Sequence, residues 1–326
     1  MVFSFHDFLT DTNNSQTPDK TFLDPMEGDG GTAAPMPTAK WLADRGSFLS
    51  LAWAIYCCDY NTTRFWLRLK KPHNHINDVL NGVHDGFIRQ SARQIKEAGT
   101  PIMLAVMGEF NWQGQFLFGS DGRTWIDGTD NICNKYGDPS WPDGPERIRD
   151  MHRHIIDIFR DEGVTNVTWL MYAGNQYMQP GVEGQSRWLH PQYYYPGDEY
   201  IDWIGQSVYF TRSDWVNKFE DVGTFNQVFV PGYNAWREVT NKPMMLPEFG
   251  ILAEQGADRT AVWNELFTNS LKQVPGVKAV TIADSLVWEL YFDIPQLSTN
   301  GREVGAVAPF IKNDPYFSRN LRIGSP

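Results

Sequence analysis

The chain alternates two hydrophobic patterns along its length. Short, unbroken apolar runs occur at 101–111 and 242–250, each opened near a Pro and closed near a Gly. Such runs are typical of strands that are buried on both faces of a parallel sheet. In 78–98 and 144–163, apolar residues instead recur every three or four positions, which predicts amphipathic helices that end at Gly99 and Gly163. The alternation predicts a parallel sheet with helices outside it.

Seven strands are predicted, and they begin near residues 1, 47, 101, 167, 201, 243 and 277. No second core and no linker divides the chain, so we expect one domain over 1–326. In that domain, 1–40 holds a strand and a long polar loop, and 293–326 forms a loose tail. A closed (β/α)8 barrel needs eight strands, whereas a doubly wound sheet accepts seven but usually carries a Gly-rich phosphate loop, which is absent.

Composition narrows the classes of partner and cofactor. The net charge of -11 and the lack of a Lys and Arg stripe argue against nucleic acid. No apolar run reaches the roughly 18 residues that a membrane span requires. The three cysteines have no metal-binding spacing and no HExxH motif occurs, so we expect no metal and no cofactor. Many of the 13 Trp lie in Gly- and Asp-rich stretches, where their rings would suit sugar faces or ordinary packing.

Two glutamates follow apolar runs of the same design. Glu109 closes PIMLAVMGE and Glu248 closes KPMMLPE. The carboxyl ends of barrel strands are where barrel enzymes carry their chemistry. Cleavage of a glycosidic bond needs one acid to protonate the leaving oxygen and one carboxylate to act at the sugar carbon. The pair therefore indicates a glycoside hydrolase, and the alternative is two glutamates that are merely exposed at strand ends.

Four blocks, taken in order, resemble glycoside hydrolase family 26. They are DGFIRQSARQIKEAGTPIML, GPERIRDMHRHIIDIFRDEGVTNVTWL, YYPGDEYIDWIGQSVY and KPMMLPEFG, and the resemblance runs from about residue 41 to 284. This is a retaining barrel family of β-mannanases, with some mixed-linkage β-glucanases and β-1,3-xylanases. The resemblance implies a (β/α)8 TIM barrel whose first strand is lacking or replaced, because the family's catalytic strands four and seven match our third and sixth.

The resemblance also implies roles for individual residues. Glu109 matches the family's acid/base and Glu248 its nucleophile. Asn111 is expected to touch substrate, or else to cap a loop, and Tyr209 to hydrogen-bond the nucleophile, or else to fill the core. Trp53, Trp112 and Phe118 match aromatic positions that line the family's cleft, or else they pack in the core. Trp288 is expected to serve as a sugar platform.

Three positions depart from the family pattern. The His before the acid/base is Gly108, the Trp-His pair typical of mannanases is Trp53-Ala54, and the strand-eight Trp is Ile282 or is displaced to Trp288. These changes fall in the innermost sugar site, so they bear on the choice of substrate more than on bond cleavage.

The leading hypothesis is a retaining, endo-acting β-glycoside hydrolase that cleaves a polysaccharide, whether β-mannan, β-glucan, β-xylan or a related glycan. A non-catalytic carbohydrate-binding barrel is the alternative. By family resemblance we expect a secreted or periplasmic protein, although the first residues lack the sections of a signal peptide.

Overall fold

The computed structural model describes residues 2–7, 39–54, 75–111, 136–141, 143–174, 190–214, 223–253, 257–282 and 301–313. They form two compact units: the first holds the described residues up to Gly174 together with 190–204, and the second holds those from Gly205 to Asn313. The strands are β1 Val2–Asp7, β2 Leu49–Ala54, β3 Ile102–Val106, β4 Val167–Ala173, β5 Trp203–Gln206, β6 Val208–Phe210, β7 Met244–Ile251 and β8 Val277–Ile282. The helices are α1 Ala39–Ala43, α2 His75–Leu80, α3 Asp85–Ala98, α4 Asp143–Asp161, α5 Phe225–Val239, α6 Thr260–Glu265 and α7 Gly301–Asn313.

A parallel sheet forms the centre of the first unit. Its strands β1, β2, β3 and β4 pair in sequence order, and Leu49 of β2 lies opposite Ile102 of β3. All five residues of β3 are buried, as expected of a strand covered on both faces. The main chain of Asp202 continues the pairing, because its N–H donates to the Trp169 carbonyl of β4 at 3.0 Å.

Two helices of the first unit pack together with their apolar stripes buried. The predicted stripe of α4 is buried throughout, at Ile148, Met151, Ile155, Ile158 and Phe159. Between the two helices, Arg89 and Arg93 of α3 bind the Glu162 carboxylate that follows α4, at 3.1 and 2.7 Å.

The prediction of one continuous helix over 78–98 was wrong. A turn at Asn81–His84 separates α2 from α3, and Gly82 adopts a left-handed φ of 75° that interrupts the helix. Val83, which the periodicity placed on the buried face, is 66% exposed. The predicted end at Gly99 is confirmed, with φ of 63° and its N–H bonded to the Lys96 carbonyl.

The second unit is built on three parallel strands. β7 pairs with β6 on one side and with β8 on the other, and all eight of its residues are buried. Helix α5 begins at a capping box, in which Thr224 and Gln227 satisfy each other's backbone N–H groups. Every predicted strand region contains a strand, and the fifth is divided at Ser207 into β5 and β6.

The loose tail predicted for 293–326 is also corrected, because residues 301–313 form α7. The helix packs on the second unit through Val307, which is 3% exposed, and through the Phe310 ring, which stacks on Phe267 at 5.5 Å between centroids. The segment was not predicted as a helix because it contains residues of low helix propensity, namely Gly301, Gly305 and Pro309. Tertiary packing outweighs this low propensity.

Within the described ranges, no helix combines the length and the apolar character needed to cross a membrane.

Candidate active site

Glu109 lies in a tight turn directly after β3. Its neighbours Met107, Phe110 and Asn111 are all fully buried, whereas Glu109 itself is partly exposed. Phe110 anchors the turn by packing on Tyr194, with ring centroids 4.7 Å apart. The turn therefore presents one carboxylate to solvent from an otherwise buried segment.

The backbone of this turn is strained. Met107 and Glu109 have positive φ values of 58° and 51°, in the left-handed region that residues with a Cβ rarely occupy. Such conformations cost about 1 to 3 kcal/mol each and persist only where surrounding contacts impose them. They cluster at functional sites, so their occurrence around Glu109 supports a functional role for the turn.

Three contacts impose that conformation, one from each neighbouring element. The Met107 N–H donates to the Trp53 carbonyl of β2 at 2.8 Å. The imidazole Nε2 of His152 on α4 lies 2.8 Å from the Val106 carbonyl oxygen. The imidazole Nδ1 of the same residue lies 2.7 Å from the Ile148 carbonyl oxygen within α4.

The third contact comes from Asn111, which exchanges two hydrogen bonds with Gly174 at the end of β4. Its amide oxygen accepts from the Gly174 N–H at 2.7 Å, and its Nδ2 donates to the Gly174 carbonyl at 3.3 Å. The side chain is fully buried. The geometry therefore favours the capping alternative for Asn111, a side chain that fixes the strand ends, over the expectation of direct contact with substrate.

Trp53 is also placed inside the protein. Its indole is fully buried and lies 5.8 Å from the Phe87 ring of α3 between centroids. The packing alternative is thus the one that the structure supports for Trp53, which acts on the Glu109 turn through its main-chain carbonyl.

Glu248 lies in β7 of the second unit and is 7% exposed. The strand does not end there as predicted but continues to Ile251, because Phe249, Gly250 and Ile251 remain paired with β6. Towards β8 the pairing is irregular between Leu246 and Phe249, where Pro247 has no N–H to donate to the ladder. Irregularities of this kind re-aim side chains at functional sites, and here the affected residue next to Pro247 is the glutamate.

Tyr209 of β6 donates a hydrogen bond from its hydroxyl to Glu248 Oε2 at 2.9 Å. The bond joins two side chains of adjacent strands in one unit. This is the contact that the family resemblance implies for this tyrosine. A donor on one carboxylate oxygen fixes the orientation of the group.

Sequence reasoning missed two side chains near Glu109. His152 lies four residues after Ile148 on α4, and this spacing could have predicted from the sequence that the imidazole lies on the buried face. Burial lowers the pKa of the His152 imidazole, although the nearby Ile148 and Val106 carbonyls act in the opposite direction. The other is Tyr172, which is fully buried near the end of β4 and for which the sequence carried no signal.

Three of the predicted substrate-binding aromatics, Trp112, Phe118 and Trp288, lie outside the described residues. Among the residues that are described, no group of three or more His, Cys, Asp or Glu side chains could hold a metal ion.

The comparison with known families decides the class of protein. The model for "Glycosyl hydrolase family 26" matches residues 52–287, which include both glutamates. The chain belongs to glycosyl hydrolase family 26. This confirms the resemblance found in the four sequence blocks.

A curated protein matches this chain at low identity. Endoglucanase H of Acetivibrio thermocellus is 27% identical over 247 residues, which are 74% of this chain and 22% of that protein. The chain therefore spans about a fifth of the length of this curated relative.

Solved structures share the fold at low identity. The family 26 domain of an endo-β-mannanase/endo-β-glucanase from Prevotella bryantii aligns with a TM-score of 0.50 and 14% identity over 95% of this chain and 81% of its own. The catalytic domain of an endo-β-1,4-mannanase from Bacillus sp. JAMB-750 aligns with a TM-score of 0.50 and 15% identity, over 85% and 68%. These likenesses confirm the predicted (β/α)8 barrel class.

Proposed function

We propose that this member of family 26 is a retaining, endo-acting β-glycoside hydrolase that cleaves a polysaccharide by double displacement. The observation that carries the proposal is the Tyr209–Glu248 hydrogen bond, which fixes a nearly buried carboxylate at an irregular point of β7. Family membership supplies the reaction class, and these contacts supply candidates for its residues.

In the first step, Glu248 is the nucleophile. One carboxylate oxygen attacks the anomeric carbon while the Tyr209 hydroxyl holds Oε2. The glycosidic C–O bond breaks, and a covalent glycosyl-enzyme ester forms. Low solvent exposure strengthens the electrostatic interaction of this carboxylate with the positive charge that develops on the sugar ring.

Glu109 is the acid/base in this proposal. As a carboxylic acid it gives its proton to the departing glycosidic oxygen, and as a carboxylate it then takes a proton from the water that hydrolyses the ester. Retention by this route requires the two carboxyl groups to stand about 5 to 5.5 Å apart. A turn with its backbone held by Trp53, His152 and Asn111 suits the role, because proton transfer needs a fixed carboxyl position.

The substrate class is proposed from the relatives. Their names include endoglucanase and endo-β-mannanase, so β-glucan and β-mannan are the first candidates. Gly108 and the Trp53-Ala54 pair depart from the mannanase pattern, which favours β-glucan. Because polysaccharides of this kind lie outside the cell, we also propose a secreted or periplasmic location.

Reducing-end release from barley β-glucan, carboxymethyl cellulose, galactomannan and β-1,3-xylan tests the proposal. We expect turnover of at least one polymer, with Glu248→Ala and Glu109→Ala each lowering kcat by about 10³-fold or more. Proton NMR should show the β-anomer as first product. Glu238→Gln, on the exposed side of α5, is the matched control and should keep full activity.

Two results would contradict the proposal. If the polymers bind and no product forms, the protein is a carbohydrate-binding barrel. If the α-anomer appears first, the enzyme inverts, and Glu248 is not a covalent nucleophile.

A further inference from the structure

Tyr172 and Gly108 occupy one volume beside Glu109. A Cβ built on Gly108 would overlap the Tyr172 hydroxyl oxygen, and it would lie 2.5 Å from Cζ and 3.0 Å from Cε1 of the same ring. Real side chains do not approach so closely. The phenol therefore fills the space into which any side chain at position 108 would project.

Position 108 requires glycine because the Tyr172 phenol leaves no room for a Cβ, and not because the backbone there needs a left-handed conformation. Positive φ values occur at Met107 and Glu109 on either side of it, whereas Gly108 itself is outside the left-handed region. An L-residue could adopt its backbone conformation, so the requirement for glycine comes from the tyrosine.

Strand β4 aims Tyr172 away from the helix layer. Trp169 packs edge-on against Phe159 of α4, with ring centroids 5.0 Å apart, so Trp169 faces the helices. Successive side chains of a strand point to opposite faces, which places Tyr172, three residues later, on the other face. In a (β/α)8 barrel that face is the interior, and its carboxyl end adjoins the active site.

The ring is held firmly in this position. Tyr172 is fully buried. Gly174, which directly follows β4, is held by two hydrogen bonds to the Asn111 side chain. The same bonds tie β4 to the segment that carries Glu109. A phenol fixed against Gly108 thus restrains the strained Glu109 turn from the interior side.

We propose that Tyr172 is a positioning residue for the acid/base Glu109, and that its phenol takes the space that a side chain at position 108 would fill. This inference rests on the proposed function. It predicts that Tyr172 supports proton donation by Glu109 to a poor leaving group, and that residues 108 and 172 are coupled.

The catalytic part is tested with Tyr172→Phe, which keeps the ring and removes the hydroxyl. The substrates are the polysaccharide hydrolysed in the panel and the dinitrophenyl β-glycoside of the same sugar, whose leaving group departs without protonation. Because small displacements of a catalytic group cost up to about 100-fold, we expect kcat/KM to fall about 10- to 100-fold on the polysaccharide and less than about 3-fold on the aryl glycoside. Tyr136→Phe removes a half-buried hydroxyl that binds Asp150, and as the control it should change neither value by more than about 3-fold.

Equal losses of Tyr172→Phe on both substrates, or no loss on either, would overturn the positioning role. Equal losses on both substrates would mean that Tyr172 only packs in the protein interior.

The shared volume is tested by thermal melting, which does not depend on activity. Gly108→Ala should lower Tm in the wild-type background and have little effect in the Tyr172→Ala background, because the clashing ring is gone. Equal decreases in both backgrounds would overturn the shared volume. If the wild-type protein hydrolyses nothing, the proposed function and the catalytic part of this inference fail together, while the melting cycle still reports on the 108–172 contact.

Discussion

Removing one hydroxyl at the Glu248 carboxylate should slow the reaction without unfolding the protein. In Tyr209→Phe the ring keeps its packing on β6, and only the 2.9 Å hydrogen bond to Glu248 Oε2 is lost. Hydrogen bonds to charged groups contribute about 1.5 to 3 kcal/mol. At about 1.36 kcal/mol per tenfold, the loss corresponds to a decrease of about 10- to 160-fold in kcat/KM.

Steady-state hydrolysis of the active polysaccharide measures the loss of kcat/KM. Tyr200→Phe is a matched control, because its hydroxyl donates to the Asp157 carboxylate at 3.2 Å on the exposed surface of the first unit. The control should leave kcat/KM within about 3-fold of wild type. A Tyr209→Phe enzyme that matches this control in kcat/KM would refute the assignment of Glu248 as the positioned nucleophile.

Three further predictions concern stability. Hydrogen bonds from Arg93 and Arg89 lower the pKa of Glu162 from 4.5 to about 2. The ionised carboxylate therefore stabilises the fold above pH 4.5, and this contribution is lost as the pH falls toward about 2. The free energy of unfolding in urea should depend less on pH across this window in Glu162→Gln than in wild type. Phe159→Ala should lower the free energy of unfolding by about 3 to 5 kcal/mol, because a buried ring against Trp169 is removed, whereas the exposed Val83→Ala should change it by less than about 0.5 kcal/mol. Asn111→Ala leaves the buried Gly174 N–H without its acceptor and should cost about 1 to 3 kcal/mol in the same assay, and an unchanged value would show that this pair does not fasten β3 to β4.

Local pattern was sufficient for the strands and for the position of Glu109 directly after β3, whereas Glu248 lies inside β7 and not at its end. Fully apolar runs such as Ile102–Val106 can only be satisfied inside a doubly covered sheet, so their assignment needed no tertiary information. The buried stripe of α4 followed from spacing for the same reason. The break between α2 and α3 was missed because Asn81 and Gly82 interrupt a periodicity that continues on both sides.

The features that define the site depend on contacts between distant residues. The volume shared by Gly108 and Tyr172 joins the ends of two strands, and neither residue carries a local sign of the other. The left-handed conformation of Glu109 likewise arises from hydrogen bonds made by β2, α4 and β4. Helix α7 is stabilised by the stacking of Phe310 on Phe267, which outweighs an unfavourable local composition.

Trapping of the covalent intermediate tests whether Glu248 is the nucleophile. Incubation with deoxyfluoro β-glycosyl fluorides of the gluco and manno series, followed by peptide mass spectrometry, identifies the residue that attacks the sugar. We expect a single glycosyl ester on Glu248, formed faster in wild type than in Tyr209→Phe. A label on any other residue would show that Glu248 is not the nucleophile.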